Sequence, residues 1–358
     1  MQDDAPRFRI GNQDWYRGGI AASGGRMIRR TLVLSFAVAL FGAATARAQD
    51  LPEDKVAIWT LQDENSSISN ESLKDRFYVN GLHLGYVSGT DGVPDFLQGV
   101  GRALWPLGGQ MRFAFGLTQQ MYTPADIHTP YWPPGDQPYA GTLYGDFALY
   151  RDVQDSRSVI GLSLGLVGPA SGAQQLQEGF HDLIGQTHPA GWGSQLANEP
   201  LVELTSARTY RFSLGSIGGL ETDTLPDLAV GLGNLRIYAQ TGVLFRIGQG
   251  LDSDYGPPRL FPGMTGGEAF RPTRPFAWYF FLGGDGQGVL RDITLDGNDF
   301  RGGPSVTLIP YVGEVEAGVA VMVFGTRLTY TQVMQSQTFQ HQKGGPHQFG
   351  SLALSVRF

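Results

Sequence analysis

The chain has 358 residues, of which 41% are hydrophobic and only 16% are charged, and its formal net charge is −7. It contains 51 glycines and 21 prolines but no cysteine, which argues against a helical bundle and excludes disulfides, thiolate metal sites and a cysteine nucleophile. A charged fraction below the roughly 25% of ordinary soluble domains is typical of a protein that exposes apolar surface to something other than water.

Residues 27–48 have the three parts of a secretory signal peptide. Two arginines, Arg29 and Arg30, precede an apolar stretch at 32–41, and a small-residue cleavage site of the form Ala-x-Ala ends at Ala48. The apolar stretch is too short to span a membrane as a helix. We therefore predict export and cleavage after this site.

The predicted leader divides the chain into three parts. Residues 1–26 carry no apolar periodicity and precede a second methionine, so we interpret them as an upstream extension from a mis-assigned start. Residues 27–48 are the signal peptide, and 49–358 form one mature domain. Removal of the first 48 residues takes away seven arginines and three aspartates, which leaves 19 basic and 30 acidic residues and a net charge of about −11. This charge disfavours nucleic acid as a partner and suits divalent cations.

Alternation with a period of two residues dominates the mature chain. Large apolar residues alternate with small or polar ones at 112–117, 160–166 and 351–358. This period predicts β-strands with one apolar face, but a water-soluble sandwich and a membrane barrel give the same pattern. The pattern alone therefore leaves both architectures open.

Three further features favour an outer-membrane barrel. The chain has a predicted leader, it ends on a strand whose last residue is Phe358, and aromatic residues such as Trp278 and Tyr330 lie inside strand-like segments. We predict an all-β, transmembrane, antiparallel outer-membrane β-barrel of about twelve strands, with small inward-facing residues and long external loops at 123–138 and 247–275. The strand-like segments are 55–62, 77–88, 110–121, 139–151, 157–167, 201–213, 227–234, 236–246, 276–291, 305–331 as a hairpin, and 348–358.

One segment breaks the two-residue period. From 173 to 186 apolar residues recur at helical spacing, with Gly185 near the end of the segment. We predict a short amphipathic α-helix inserted between two strands. Gln177 and His181 are four residues apart, so they project from the same side of this helix.

Residues that can carry chemistry lie in a few places. His181 next to Gln177 resembles a held general base, although an isolated histidine on a helix is more often structural. Residues 63–66 place oxygen-bearing side chains where the first strand ends, which suits either a hard cation or a solvated acidic turn. Residues 161–165 fit G-x-S-x-G, but the match lies inside an unbroken strand, not at the sharp turn that a nucleophilic serine needs. We do not expect Ser163 to be a nucleophile.

Seven short motifs follow one another along the mature chain. They are E-N-S at 64–66, D-R-F-Y-V-N-G-L at 75–82, Q-P-Y-A-G at 137–141, V-G-P at 167–169, Q-x-x-x-H-x-x-I-G at 177–185, G-W-x-x-Q-L-x-N-E-P at 191–200 and S-L-A-L-S-V-R-F at 351–358. In this order and spacing they resemble the outer-membrane lipid A 3′-O-deacylases, calcium-dependent enzymes that remove an acyloxyacyl chain from lipopolysaccharide.

The resemblance implies a twelve-stranded barrel whose active site lies between the wall and the inserted helix, open to the outer leaflet. It implies that His181 deprotonates a water, that Gln177 holds the base or the oxyanion, and that Asn65 acts in catalysis beside a calcium ion. Calcium ligands are expected at Asn65 and Ser66, with Glu199 in place of a family glutamate. The expected partners are lipid A and outer-membrane lipids, and the expected form is a monomer in the bacterial outer membrane.

Three positions depart from the family pattern. The family has E-N-D where this chain has Ser66, Y-T-N-G where it has Val79, and D-R-P-Y-A-G where it has Gln137. Loss of a carboxylate beside Asn65 removes a full charge from the expected calcium site, which lowers its expected affinity. The first hypothesis is therefore a lipid A deacylase, and the alternative is a catalytically silent barrel with a structural or lipid-binding role. A passive pore is disfavoured because about twelve strands with an insert leave little channel.

Overall fold

A computed structural model describes residues 51–69, 75–260 and 267–358. The predicted upstream extension and signal peptide lie outside the described residues. The strands are β1 (Ile58–Asn65), β2 (Phe77–Val87), β3 (Gln110–Thr123), β4 (Ala140–Val153), β5 (Ser156–Val167), β6 (Glu199–Tyr210), β7 (Phe212–Ile217), β8 (Leu220–Gly233), β9 (Arg236–Gln249), β10 (Phe276–Asp292), β11 (Tyr311–Val323), β12 (Thr326–Gln335) and β13 (His347–Arg357). The helices are α1 (Asp95–Leu104), α2 (Ala173–Ile184) and the single turn α3 (Ile293–Asp296).

Hydrogen-bonded neighbours close these strands into one ring. The pairs along the sheet are antiparallel, and β1 pairs with β13 over its whole length. β6 pairs with one part of β8, while the short β7 follows β6 along the chain and pairs with the start of β8. Counted together as one strand, β6 and β7 make the ring a closed antiparallel barrel of twelve strands. The predicted all-β barrel is confirmed.

The wall of the barrel is apolar on its outside and polar on its inside. Leu61 and Leu117 point outward and are 59% and 55% exposed, whereas the next residues, Gln62 and Thr118, are buried in the lumen. A soluble sandwich buries its large apolar residues, so this exposure excludes the sandwich and identifies a lipid-facing belt. The belt includes Leu61, Leu84, Phe115, Leu117, Phe147, Leu162, Leu164, Leu204, Phe245, Leu282, Leu328 and Leu354.

Four aromatic side chains form a patch on the outside of the wall. The ring centroids of Trp59 and Tyr86 are 5.2 Å apart, and Tyr86 packs against Phe113 and Phe115 at 6.0 and 5.1 Å. Girdles of this kind mark the level at which hydrocarbon meets lipid headgroups. We refer to these four residues as the aromatic patch.

The two ends of the barrel differ in their connections. β1 begins and β13 finishes at one end, the terminal end, where the turns at 154–155, 218–219 and 324–325 are short. α2 and α3 lie in connections at the opposite end, the loop end, and α1 lies in the β2–β3 connection at the terminal end. Outer-membrane barrels have short periplasmic turns and longer external loops, so the loop end is the external side.

The connection between β9 and β10 enters the lumen from the terminal end. Its Arg259 forms an ion pair with Glu316 of β11, and its Glu268 lies 2.7 Å from the ring of His83 of β2. The prediction of an external loop at 247–275 is therefore wrong. Arg259 and Glu268 meet charged partners on the inner face of the wall, so these two side chains need no water outside the barrel to solvate them.

The helices and one hairpin also differ from the sequence predictions. The helix predicted at 173–186 is observed as α2, but α1 has no counterpart among the predicted elements. The hairpin predicted at 305–331 is observed as β11 and β12 and begins only at Tyr311, and Leu308 in the preceding loop makes an isolated bridge with Phe339. None of the described helices is both long enough and apolar enough to cross a membrane.

Candidate active site

Helix α2 lies in the connection between β5 and β6 at the loop end. Gly172 and Gly185, with φ of 72° and 71°, come directly before and after it. Glycine adopts this left-handed conformation without the steric cost that a side chain brings, so the two glycines fix where the helix begins and ends. Beyond the second glycine, the N–H of Gln186 donates to the carbonyl oxygen of His181 at 2.9 Å and closes the last turn.

α2 packs against the outside of the wall through small residues. A Cβ atom at Gly141 of β4 would be 2.4 Å from the Cβ of Ala173 and 2.2 Å from Ser171 Oγ. Gln119 of β3 donates from its side chain to the carbonyl oxygen of Ser171 at 2.6 Å. The glycine of the Q-P-Y-A-G motif therefore permits the contact between helix and wall. Beneath the helix lies a buried apolar cluster of Val79, Met121, Tyr139, Ala173 and Trp192.

The ring of His181 lies between two hydrogen-bond acceptors. Nδ1 is 2.6 Å from the carbonyl oxygen of Thr187, and Nε2 is 2.7 Å from Asp75 Oδ2. The side chains of His181 and Asp75 are 7% and 16% exposed, so the pair is largely shielded from water, which strengthens its interaction. Both acceptors are satisfied together only when both ring nitrogens carry hydrogen, which is the form a general base takes after it has accepted a proton.

Gln177 fixes the position of the same carboxylate. Trp192 Nε1 donates to Gln177 Oε1 at 2.8 Å, and because an indole can only donate, this contact sets the orientation of the amide. The amide nitrogen therefore faces Asp75 and donates to Oδ2 at 3.0 Å. The structure thus brings together two of the predicted residues, Gln177 and His181, on one carboxylate oxygen.

Tyr139 and Trp192 support the helix from the wall side. Both side chains are buried, and their ring centroids are 5.1 Å apart. Burial raises the pKa of Tyr139 to about 12, so the phenol is neutral and donates to the carbonyl oxygen of Ile127 at 3.3 Å. This packing holds the buried side of α2, formed by Ala173, Gln177 and His181, in place.

A cleft of about 290 Å³ opens beside His181. Asp75 and Ser67 form part of its polar lining, and Phe180 and Ile184 of α2 form part of its apolar lining. Phe180 is 45% exposed and Ile184 is 44% exposed, so α2 presents apolar side chains to the surroundings of the cleft. A polar centre with an apolar rim suits a ligand that is polar at its reacting group and apolar elsewhere.

Asn65 lies next to this cleft but does not join the His181 cluster directly. Its Oδ1 accepts the backbone N–H of Ser67 at 2.7 Å, and Ser67 lines the cleft. Ser66 is buried, and its hydroxyl oxygen has no hydrogen-bond partner among the described residues. Asn65 therefore reaches the cleft only through its contact with Ser67.

Glu199 is engaged elsewhere. Its carboxylate accepts from the side chain of Asn298 at 3.0 Å and from the backbone N–H of Asp299 at 2.9 Å. Both partners belong to the connection between β10 and β11, so Glu199 ties that connection to the start of β6. The structure does not bring it to His181.

The predicted calcium ligands do not fit a calcium site as they lie here. Asn65 Oδ1 caps a turn, Glu199 is held by the β10–β11 connection, and Ser66 brings a hydroxyl without charge. Calcium in proteins takes six to eight oxygens, several of them from carboxylates. Among the described residues no three His, Asp or Glu side chains are grouped to hold a metal.

Two residues, one in the site and one outside it, had no role in the sequence analysis, although both lie in the quoted motifs. Asp75 is the first residue of D-R-F-Y-V-N-G-L and supplies the carboxylate of the site. Gln137 of the Q-P-Y-A-G motif donates from its side chain to the carbonyl oxygen of Thr294 at 2.9 Å, so it anchors α3. The signal available in the sequence was an acidic residue just before the second strand, which could have identified Asp75 as a candidate site residue.

Ser163 lies inside the barrel and has a structural partner. Its hydroxyl donates to Asp146 at 2.6 Å, and the same carboxylate accepts from Thr118 at 2.6 Å. Thr118 in turn is 2.7 Å from the ring of His83. The serine lies within β5, so the G-x-S-x-G match is no nucleophile elbow.

Three comparisons with known proteins bear on this geometry. A family model described as outer membrane protein LpxR matches residues 32–358. Among solved structures, LpxR from Salmonella typhimurium superposes with a TM-score of 0.70 at 17% sequence identity, over 84% of this chain and 100% of that chain. The β-domain of the Bordetella autotransporter BrkA gives a TM-score of 0.40 at 11% identity, over 86% of this chain and 98% of that chain. No curated protein matches by sequence.

Proposed function

Because the chain belongs to the LpxR outer membrane protein family, we propose that it is a lipid A deacylase that hydrolyses the 3′-acyloxyacyl ester of lipopolysaccharide. The chain is an outer membrane β-barrel, and its loop end faces outward. The cleft lies at this end and on the lipid-facing side of the wall, where lipopolysaccharide of the outer leaflet is in reach. The contact between His181 and Asp75 in this cleft is the observation that carries the proposal.

His181 acts as the general base in this proposal. In the neutral ring Nδ1–H stays on the carbonyl oxygen of Thr187 and Nε2 keeps a lone pair, so the step begins when a water enters between Nε2 and Asp75 Oδ2, whose contact then opens, and gives a proton to Nε2. The hydroxide attacks the ester carbonyl, and the protonated ring returns its proton to the alkoxide leaving group, so the products are a carboxylic acid and an alcohol. Asp75 stabilises the positive charge on the ring between these two steps.

Gln177 acts as a positioning residue. Its amide is held by Trp192 and in turn holds Asp75, so the carboxylate stays in line with the ring. Catalytic groups must be held within fractions of an ångström for full effect, which is what this buried hydrogen bond contributes.

Calcium binding is predicted from the family resemblance, but the residues expected to hold the ion lie apart in the structure. The proposed steps run through His181 and Asp75 alone, because Asn65, Ser66 and Glu199 do not assemble into a site. We expect chelation with EGTA to change the rate of ester hydrolysis by less than about twofold, since no step depends on the ion. A loss of activity on chelation, restored by calcium, would support the calcium prediction instead.

Mass spectrometry of lipid A from outer membranes that contain the protein tests the function. The full chain should release the 3′-acyloxyacyl group, and His181→Ala should lower the release by a factor of about 10² to 10⁴. The matched control is His188→Ala, because His188 also lies 2.7 Å from an aspartate, Asp182, but is exposed and outside the cluster. Equal release by both variants would remove the histidine mechanism.

A catalytically silent barrel is the second candidate. It is favoured by the absence of a carboxylate at Ser66 and by the engagement of Glu199 with Asn298. This reading expects unchanged lipid A in the same experiment with the unaltered chain. Lipid A binding without hydrolysis would then be the remaining role of the cleft, and the monomeric state stays a prediction under either reading.

A further inference from the structure

Helix α1 lies on the outside of the wall at the terminal end. Gly101, the buried residue of α1, lies so close to the wall that a Cβ there would be 2.1 Å from Met111 Sδ and 3.4 Å from Leu149 Cδ2. By two-residue alternation Met111 shares the face of the exposed Phe115, and Leu149 shares the face of the exposed Phe147. α1 therefore packs on the lipid-facing side of β3 and β4, not in the lumen.

α1 has an apolar side and a polar side. At 100° per residue, Phe96 and Val100 project on one side, and Gln98 and Arg102 project on the opposite side. Phe96 is 71% exposed and Val100 is 47% exposed, so nothing in the described chain covers the apolar side. Gly101 faces the wall between the two sides. The helix therefore lies along the wall, with its apolar side and its polar side on either side of the contact at Gly101.

The position of α1 along the wall matches a membrane interface. Its contact residue Met111 precedes Phe113 of the aromatic patch by two residues, which is about 7 Å along a strand. The patch marks the headgroup level, so α1 lies at or next to this level. Trp105 and the 45% exposed Leu107 follow the helix directly; tryptophan is enriched at the membrane interface, and leucine is common on the apolar face of in-plane helices.

We propose that α1 is an in-plane membrane helix whose apolar side is covered by phospholipid acyl chains of the leaflet at the terminal end. The apolar side continues the lipid-facing belt of β3 and β4, so the lipid that covers Phe115 and Phe147 already reaches it. In-plane helices bury their apolar face about 5–10 Å into the boundary between headgroups and acyl chains. Gln98 and Arg102 then face the aqueous side of the headgroups.

This surface is independent of the cleft beside His181. It lies at the opposite end of the barrel and needs no activity of the cleft. A protein partner or a second copy would have to approach along a wall that the bilayer already covers, which favours lipid as the occupant. The helix therefore anchors the β2–β3 connection to the membrane and fixes the depth of the barrel.

Nitroxide depth measurements on the full chain in phospholipid vesicles test this inference. The protein has no cysteine, so single-cysteine variants accept one label each. We choose Phe96→Cys and Val100→Cys for the apolar side, Arg102→Cys for the polar side and Leu117→Cys in the belt as the lipid reference. Heat-modifiable migration on gels checks that each labelled barrel is folded.

Labels at 96 and 100 should collide more with oxygen than with a water-soluble nickel chelate, with a ratio below that at 117, which lies deeper in the belt, and several-fold above that at 102. Ratios at 96 and 100 as low as that at 102 would show that α1 lies in water, and ratios equally high at all three positions would show that it has no aqueous side; either result would overturn the proposal. Protection of 96 and 100 from both oxygen and nickel would show a protein partner or a second copy on this face and would also overturn it.

Discussion

The carboxylate that contacts His181 comes from a residue 106 positions earlier in the chain. The sequence predicts that Gln177 and His181 share a helix side, since a spacing of four residues is a local property. It does not predict Asp75, because that contact forms only when the β1–β2 connection meets a helix inserted after β5. For Glu199 the sequence made a prediction that the contacts do not match. Its place in a motif suggested a calcium ligand, but its carboxylate accepts a hydrogen bond from Asn298 instead.

Replacing Asp75 with asparagine should slow hydrolysis without weakening substrate binding. The substitution removes a hydrogen bond to a charged ring, worth about 1.5–3 kcal/mol, which corresponds to a fall in kcat of about 10- to 100-fold. KM should stay unchanged because Asp75 acts on the ring and not on the substrate. Asp75→Glu keeps the charge and should retain more activity than Asp75→Asn. A rise in KM with unchanged kcat would contradict the role of Asp75 in stabilising the charged ring.

Ser66→Asp should create calcium-dependent stability. The Ser66 hydroxyl oxygen is buried without a partner, so a carboxylate there is an uncompensated charge and should lower the melting temperature without calcium. Calcium should raise the melting temperature of this variant and leave the unaltered chain unchanged, because affinity follows ligand charge. Ser66→Asn, which adds an amide but no charge, is the matched control. An equal calcium effect on all three chains would show that the ion binds elsewhere.

At the scale of elements, strands follow from two-residue alternation and α2 follows from helical spacing. The sequence does not predict α1, because its ten residues contain Gly99 and Gly101. Each glycine costs a helix about 1 kcal/mol relative to alanine. Contact with the wall and with lipid offsets that cost. The loop at 247–275 shows the same limit, because glycine, proline and charge suit a solvated loop and a polar lumen equally well.

Gly141→Ala should displace α2 from the wall and reduce activity while the barrel still folds. The new Cβ would lie 2.4 Å from the Cβ of Ala173, so helix or strand must shift. A misplacement of about 1 Å can cost a catalytic site about 100-fold in rate. Gly145→Ala on the same strand is the control, since its Cβ would meet nothing closer than 3.7 Å. Equal activity of the two variants would show that the close contact does not position His181.

At the scale of the whole molecule, a buried charge cluster closes the barrel at the terminal end. Asp54, just before β1, pairs with Arg357 of β13 at 2.7 Å and with Arg112 of β3. These strands lie at opposite ends of the chain, so the cluster ties the first strands to the last. Closure itself follows from the sequence pattern, but the partners of Asp54 do not, because strand order around the ring decides which side chains meet.

The stability contributed by Asp54 should depend on pH. Burial raises its pKa, but hydrogen bonds from Arg357 and the charges of Arg112 and Arg357 outweigh burial, so the pKa lies below its ordinary value of 3.8. A lowered pKa in the folded state stabilises the protein above the unfolded pKa, and this contribution is lost as pH falls through the folded pKa.

Asp54→Asn should therefore lower the free energy of unfolding at pH 7 by about 3–5 kcal/mol, since it leaves the buried Arg112 and the half-buried Arg357 without this partner. The difference between variant and unaltered chain should shrink as pH falls below about 4. Urea unfolding of the barrel in lipid vesicles, followed by tryptophan fluorescence at several pH values, measures it. Glu53→Gln is the control, because Glu53 and its partner Lys55 are both exposed and such pairs contribute about 0–1 kcal/mol. A loss that is the same at every pH would show that packing around Asp54, not its charge, holds the first strands to the last.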